Sequence, residues 1–154
     1  MPYIPQYTER TFVCKVAALM NKIMEQEKMH FERADVEIDL GVGVADLMLW
    51  DKRKLKPALL VEVEPPEEEL EDLFNKVKEK AQVGRVPYFA LWNLKRFRLW
   101  RTPLYLEELE FKNTEYDAVI DAVRGFNDGI DNKEHYIENF LRTFLVEFTQ
   151  IYRG

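Results

Sequence analysis

Two apolar runs of strand length, residues 44–50 and 58–64, stand on either side of a short basic loop, residues 51–57. Runs this short, with turn residues between them, predict two antiparallel strands joined as a hairpin. Centring the loop on Lys54 opposes Asp46 to Glu62, Met48 to Leu60 and Val44 to Glu64. Side chains alternate along a strand, so Asp46, Glu62 and Glu64 share one face. The other face carries Ala45, Leu47, Leu49, Leu59, Val61 and Val63 and must be buried. Like charges directly opposed across a pair destabilise a sheet, so three carboxylates on the rim of a buried element call for a counter-charge. A hard divalent cation, Mg2+ or Mn2+, meets that need and also brings catalytic power. The plainer alternative is a set of solvated strand-end acids in a slightly different register.

The flanking sequence extends this hairpin into an α/β pattern. Phe12, Val16, Leu19, Met20 and Ile23 recur at three- and four-residue spacing, predicting an amphipathic helix from an N-cap at Thr8 to about Lys28. Residues 35–40 alternate polar and apolar as a half-buried strand does, and Gly41 and Gly43 end that run. Pro65 and Pro66 stop the third strand, and Glu67, Glu68 and Glu69 then place acids where a helix N-terminus favours them. Leu70, Leu73, Phe74 and Val77 carry that helix to about Gln82. Residues 86–92 and 97–100 predict a second hairpin turning at 93–96. The remainder is predicted helical: residues 115–124, a break from Gly125 to Gly129, then 133–152.

Composition narrows the function classes. A chain of 154 residues with 47% hydrophobic residues buries a core as one domain, residues 1–154. With 22 basic against 28 acidic residues the net charge is −6, so nucleic acid would have to be gripped by local patches. Two such patches are present. Lys52, Arg53, Lys54 and Lys56 crowd the first hairpin loop, while Lys95, Arg96, Arg98 and Arg101 crowd the second, interleaved with Phe97 and Trp100. The first three of each set are the candidate nucleic-acid contacts; lysine that blocks edge-to-edge aggregation is the alternative. The single cysteine, Cys14, rules out an intrachain disulfide, and no apolar stretch approaches the ~20 residues of a membrane span. A cytoplasmic protein without a membrane partner is expected. His30 and His135 have no second histidine at ligand spacing. The last helix carries a broad apolar stripe, Tyr136 to Tyr152, expected to pack on the domain itself or against a twin subunit.

Three segments in this order, Gly43-Val44-Ala45-Asp46-Leu47-Met48, Leu60-Val61-Glu62-Val63-Glu64-Pro65-Pro66 and Val86-Pro87-Tyr88-Phe89-Ala90-Leu91-Trp92-Asn93, resemble the PD-(D/E)XK nuclease superfamily. Within it they are most similar to the N-terminal nuclease domain of type I restriction enzyme R subunits. The resemblance implies a restriction-endonuclease-like fold, with a central mixed five-stranded sheet flanked by helices. Its core would span about residues 8–101, followed by a helical C-terminal extension over 104–154. It also implies a Mg2+- or Mn2+-dependent DNA endonuclease of a restriction-type system, and the apolar stripe of the last helix adds the expectation of a homodimer or larger complex formed through that helix. Carried over residue by residue, Asp46 and Glu62 would ligate the metal together with the carbonyl of Val63, and Glu9 resembles the helix glutamate that completes such sites. Glu64 stands where the family usually has a lysine. It would act as a third ligand or as a base, with the lysine supplied by the next helix from Lys76, Lys78 or Lys80, Lys78 being the candidate carried forward. The rival readings are a catalytically inactive nuclease-fold module for nucleic-acid binding or assembly, and a structural domain with no nucleic-acid role.

Overall fold

The computed structural model describes residues 8–53, 55–103, 109–120 and 122–153. The elements run α1 (Glu9–Glu27), β1 (Phe31–Asp39), β2 (Val44–Asp51), β3 (Pro57–Val63), α2 (Leu70–Val83), β4 (Tyr88–Trp92), β5 (Arg96–Arg101), β6 (Tyr116–Val119), α3 (Phe126–Asp131) and α4 (Glu134–Arg153). The strands form one mixed sheet in chain order, β1-β2-β3-β4-β5-β6. Every pair is antiparallel except β3 and β4, which α2 joins by a crossover. The expected mixed sheet flanked by helices is therefore present, with six strands among the described residues where five were predicted.

Helices cover both faces, and each face has its own core. On one side α1, α3 and α4 bury Phe12, Ile23, Leu47, Val61, Trp92 and Phe144 among others; on the other, α2 buries Phe74 and Val77 against Met48, Leu60, Phe89 and Trp100. A sheet covered on both faces explains why β3 and β4 read as nearly continuous apolar runs. α1 starts where expected, with Thr8 accepting a hydrogen bond from the Thr11 amide, and ends on Lys28 in a left-handed conformation (φ 49°).

The sequence reading fails at 115–131. Residues 116–119 form β6 on the outer edge of β5, where a helix was predicted. Tyr116 and Ala118 turn inward while Asp117 and Val119 are exposed, a period of two that a four-residue strand shows too briefly to compete with a helical pattern. α3 occupies the predicted break. Gly129 lies inside it because α3 presses on α1: a Cβ there would fall 2.7 Å from Cε2 of Phe12. The apolar stripe of α4 is used by the chain's own core through Ile137, Leu141, Phe144, Leu145 and Phe148, leaving Tyr136 and Val146 as its exposed large apolar residues. Among the described residues no helix is long and apolar enough to cross a membrane.

Candidate active site

The β2–β3 ladder has the register deduced from the loop centre, with Leu47 opposite Val61, Met48 opposite Leu60 and Leu49 opposite Leu59. Asp46 and Glu62 are the next positions along it. The backbone ladder stops there, and Oδ2 of Asp46 accepts the hydrogen bond of the Val63 amide at 2.8 Å. An acid side chain thus replaces a ladder carbonyl and ties the end of β2 to the end of β3. Glu62 is 4% exposed and lies beside Lys80 of α2, with 2.7 Å between Oε1 and Nζ. The Lys80 ammonium also donates to the Val44 carbonyl at 3.1 Å. Gly43 admits this lysine: its backbone is at φ 155°, and a Cβ on it would fall 2.9 Å from Cε of Lys80.

Asp46 is the centre of the acidic group. Both Glu9, the first residue of α1, and Glu62 share a carboxyl–carboxyl hydrogen bond with it, which requires a proton in each pair. Burial and the Asp46 charge push both glutamates up to about 8, and for Glu62 the opposing pull of Lys80 does not win. Glu64, just past β3, is raised by burial and by Asp46 and Glu68, against Lys76 and Lys80. The expected meeting of three carboxylates at one point is not formed: among the described residues no three His, Cys, Asp or Glu side chains are grouped to hold a metal. The acids pair through Asp46, and Glu64 acts on them only through its charge.

Oxygen donors, two carboxyls in hydrogen-bond contact and a shared proton nevertheless fit a hard divalent cation. Mg2+ commonly takes one or two carboxylates and completes its shell with water and substrate oxygens, so a third protein carboxylate is not needed. Replacing the shared proton with the ion would also remove the charge conflict that raises Glu62.

Other candidates are placed differently from the sequence reading. Lys78 points away from the acids and sits 5.7 Å over the ring of Phe74; Lys80 is the lysine that reaches Glu62. Two residues apart on a helix, they project on different sides of it. The two basic loops also lie at opposite ends of the sheet. β4 is parallel to β3, pairing Trp92 with Val63, so Lys95 in the β4–β5 turn is at the acidic end. Lys52 and Arg53 follow the end of β2 at Asp51, which is five residues beyond Asp46, or about 17 Å at the rise of a strand. Lys54 lies outside the described residues. Arg96 is held by both oxygens of Asp117 (2.9 and 2.6 Å), and Arg98 lies 3.4 Å from Asp117 and 4.2 Å over the Phe111 ring. Of the residues assigned to the second loop patch, Lys95 alone makes no ion pair among the described residues.

The fold is shared with a solved restriction endonuclease. Over 99% of this chain it superposes on the type IIG restriction endonuclease BpuSI, with a TM-score of 0.66 and 16% identity. The chain spans 18% of the length of that enzyme. A protein belonging to DUF820 from Anabaena variabilis ATCC 29413 matches 93% of the chain and 84% of its own length at a TM-score of 0.48 and 12% identity. No protein-family model matches the chain, and no curated protein matches it in sequence.

Proposed function

We propose that this chain is a metal-dependent DNA endonuclease domain that hydrolyses phosphodiester bonds within a restriction-type system. The reading rests on one observation: Asp46, Glu62 and Lys80 meet at the ends of β2 and β3. It is supported by the fold held in common with a restriction endonuclease. The short motifs around Asp46, Glu62 and Tyr88 favour, within that class, the nuclease domain of type I R subunits.

In this reading Asp46 and Glu62 hold Mg2+ or Mn2+, with the Val63 carbonyl beside them. The ion, when bound, activates water and neutralises charge on the phosphoryl oxygens. Lys80 takes the place of the missing strand lysine: its ammonium orients Glu62 and offsets charge developing on the phosphate. Glu64, half-buried just past β3, is the carboxylate placed to accept a proton from the attacking water, while Glu9, raised to about 8, stays mostly protonated near pH 7 and holds Asp46 in place. Lys95, which makes no ion pair among the described residues, is a cation at this end of the sheet for a phosphate of the DNA backbone.

The test is a plasmid-nicking assay with and without Mg2+ or Mn2+, comparing wild type with Asp46→Ala. Metal-dependent nicking by wild type and none by the variant is expected. Equal nicking by both, or none by either at millimolar metal, would leave the nuclease-fold binding module as the better reading.

A further inference from the structure

At the end of the sheet opposite the acids, the C-terminal ends of α1 and α4 and the β2–β3 hairpin border an open cleft of about 630 Å³. Its rim carries Lys28, Lys52, Arg53 and Arg153, with His30 and Gln150 between them. None of the four cations makes an ion pair among the described residues, whereas Glu27, the one acid on the rim, is taken by Arg142. In a chain with a net charge of −6, four uncompensated cations around one concavity are a local reversal of sign. The carbonyls at the ends of α1 and α4 offset part of the charge on Lys28 and Arg153, but not that on the hairpin residues Lys52 and Arg53.

The walls are tied together before any ligand arrives. The Lys52 amide donates to the His30 carbonyl at 3.2 Å, joining the hairpin to the α1–β1 loop. The Arg53 amide donates to Oδ1 of Asp51 at 2.8 Å, and the Tyr152 hydroxyl of α4 donates to Oδ2 of the same carboxylate at 2.5 Å. The chain segments that carry these cations are thus held around one concavity, and their exposed charges repel one another unless an anion joins them. From this arrangement we propose that the cleft binds a compact polyphosphate, of the class of inorganic tripolyphosphate or a nucleoside triphosphate. Its volume falls in the range of small-ligand sites. A nucleic-acid strand running on to the catalytic acids fits less well, because the edge strand β1 between the two ends carries Glu32, Asp35, Glu37 and Asp39 against Arg33. Met29 and Val146 supply an apolar wall on which a nucleotide base can lie.

The experiment is titration calorimetry of the whole chain in EDTA, with tripolyphosphate, ATP and a short DNA duplex as separate probes. This readout needs neither metal nor cleavage, so its failure is distinct from failure of the nuclease reading. Saturable one-to-one binding of tripolyphosphate or ATP is expected, weakened about tenfold or more in Lys52→Glu/Arg53→Glu, as the loss of charge-assisted contacts implies. Arg10→Glu, an exposed change at the opposite end, should bind as wild type does, and melting curves of both variants check that they fold. Equal affinity for the two phosphates assigns the site to the polyphosphate group alone; tighter ATP binding adds the base. Binding of the duplex alone, unchanged affinity in the double variant, an equal loss in Arg10→Glu, or no saturation below millimolar ligand would overturn the proposal.

Discussion

Glu62 is pulled in two directions, by burial and Asp46 toward the neutral acid and by Lys80 toward the carboxylate, and it ends up raised to about 8. Glu9 reaches the same value through burial and Asp46. In the unfolded chain both would titrate near 4.5. The folded state therefore keeps protons that the unfolded state has released, and stability falls as pH rises from about 4.5 through about 8. Glu9→Gln should raise the melting temperature at pH 8 and hardly change it at pH 5, flattening the wild-type profile; melting curves across that window check it. Lys80→Met should do the opposite at pH 8, lowering the melting temperature, because it leaves Glu62 beside Asp46 without its cation, and the loss should shrink by pH 5, where Glu62 is neutral. Breaking a buried pair typically costs about 3–5 kcal/mol, and water at the partly open rim reduces that here. The choice of Lys80 was only half legible in the sequence. Leu70, Phe74, Val77 and Ala81 define the buried stripe of α2, and Lys78 and Lys80 flank it on opposite sides. Which flank looks toward Asp46 is set by the β3–α2–β4 crossover, which no local spacing records.

At the scale of elements, β2 and β3 were legible because two apolar runs flank a short loop, and the register centred on that loop buries Leu47, Met48, Leu49, Leu59, Leu60 and Val61. β6 was not, since its partner decides its state. Its Asp117 takes a fork of two bonds from Arg96 and lies within 3.4 Å of Arg98, and these contacts depress the Asp117 carboxyl below its ordinary value. A depressed acid stabilises the fold above its unfolded pKa and loses that contribution as pH falls below about 4. Asp117→Asn should thus cost about 1 kcal/mol at pH 7, the range of partly exposed pairs, measured by urea denaturation, and nearly nothing at pH 3. α4 was readable as a helix, but not its docking point. Phe148 stacks on Phe31, and the Tyr152 hydroxyl bonds Asp51 across 101 residues of sequence, so the C-terminal helix seals the hairpin end of the sheet. Tyr152→Phe removes that donor from a carboxylate 1% exposed and should cost about 1–3 kcal/mol in the same denaturation measurement.

Across the whole molecule, charge is sorted by position along the strands. The sequence shows two basic loops, but only the parallel pairing of β3 and β4 puts Lys95 beside the acids and leaves Lys52 and Arg53 at the far end. For the proposed nuclease this means that DNA approaches an end dominated by Glu9, Asp46, Glu62, Glu64 and the acids after Pro66, with little cation to attract it. Metal-free binding should accordingly be weak, and its strength should follow the protonation of Glu9 and Glu62, since each proton lost adds a negative charge where a phosphate must sit. With both near 8, affinity for a short duplex in EDTA should fall between pH 6.5 and 9, while Glu62→Gln, which cannot acquire that charge, should bind more tightly at pH 9 and show a shallower fall. Cleavage should be lost in the same variant, because a neutral amide at this position cannot supply the carboxylate needed in the transition state. Lys95→Glu should instead weaken binding at every pH and reduce the slope against salt by about one phosphate contact. Fluorescence anisotropy at fixed ionic strength separates the two. If Glu62→Gln weakened metal-free binding as Lys95→Glu does, the acids would be holding the strand ends together rather than facing DNA, and their place in a nuclease centre would fail.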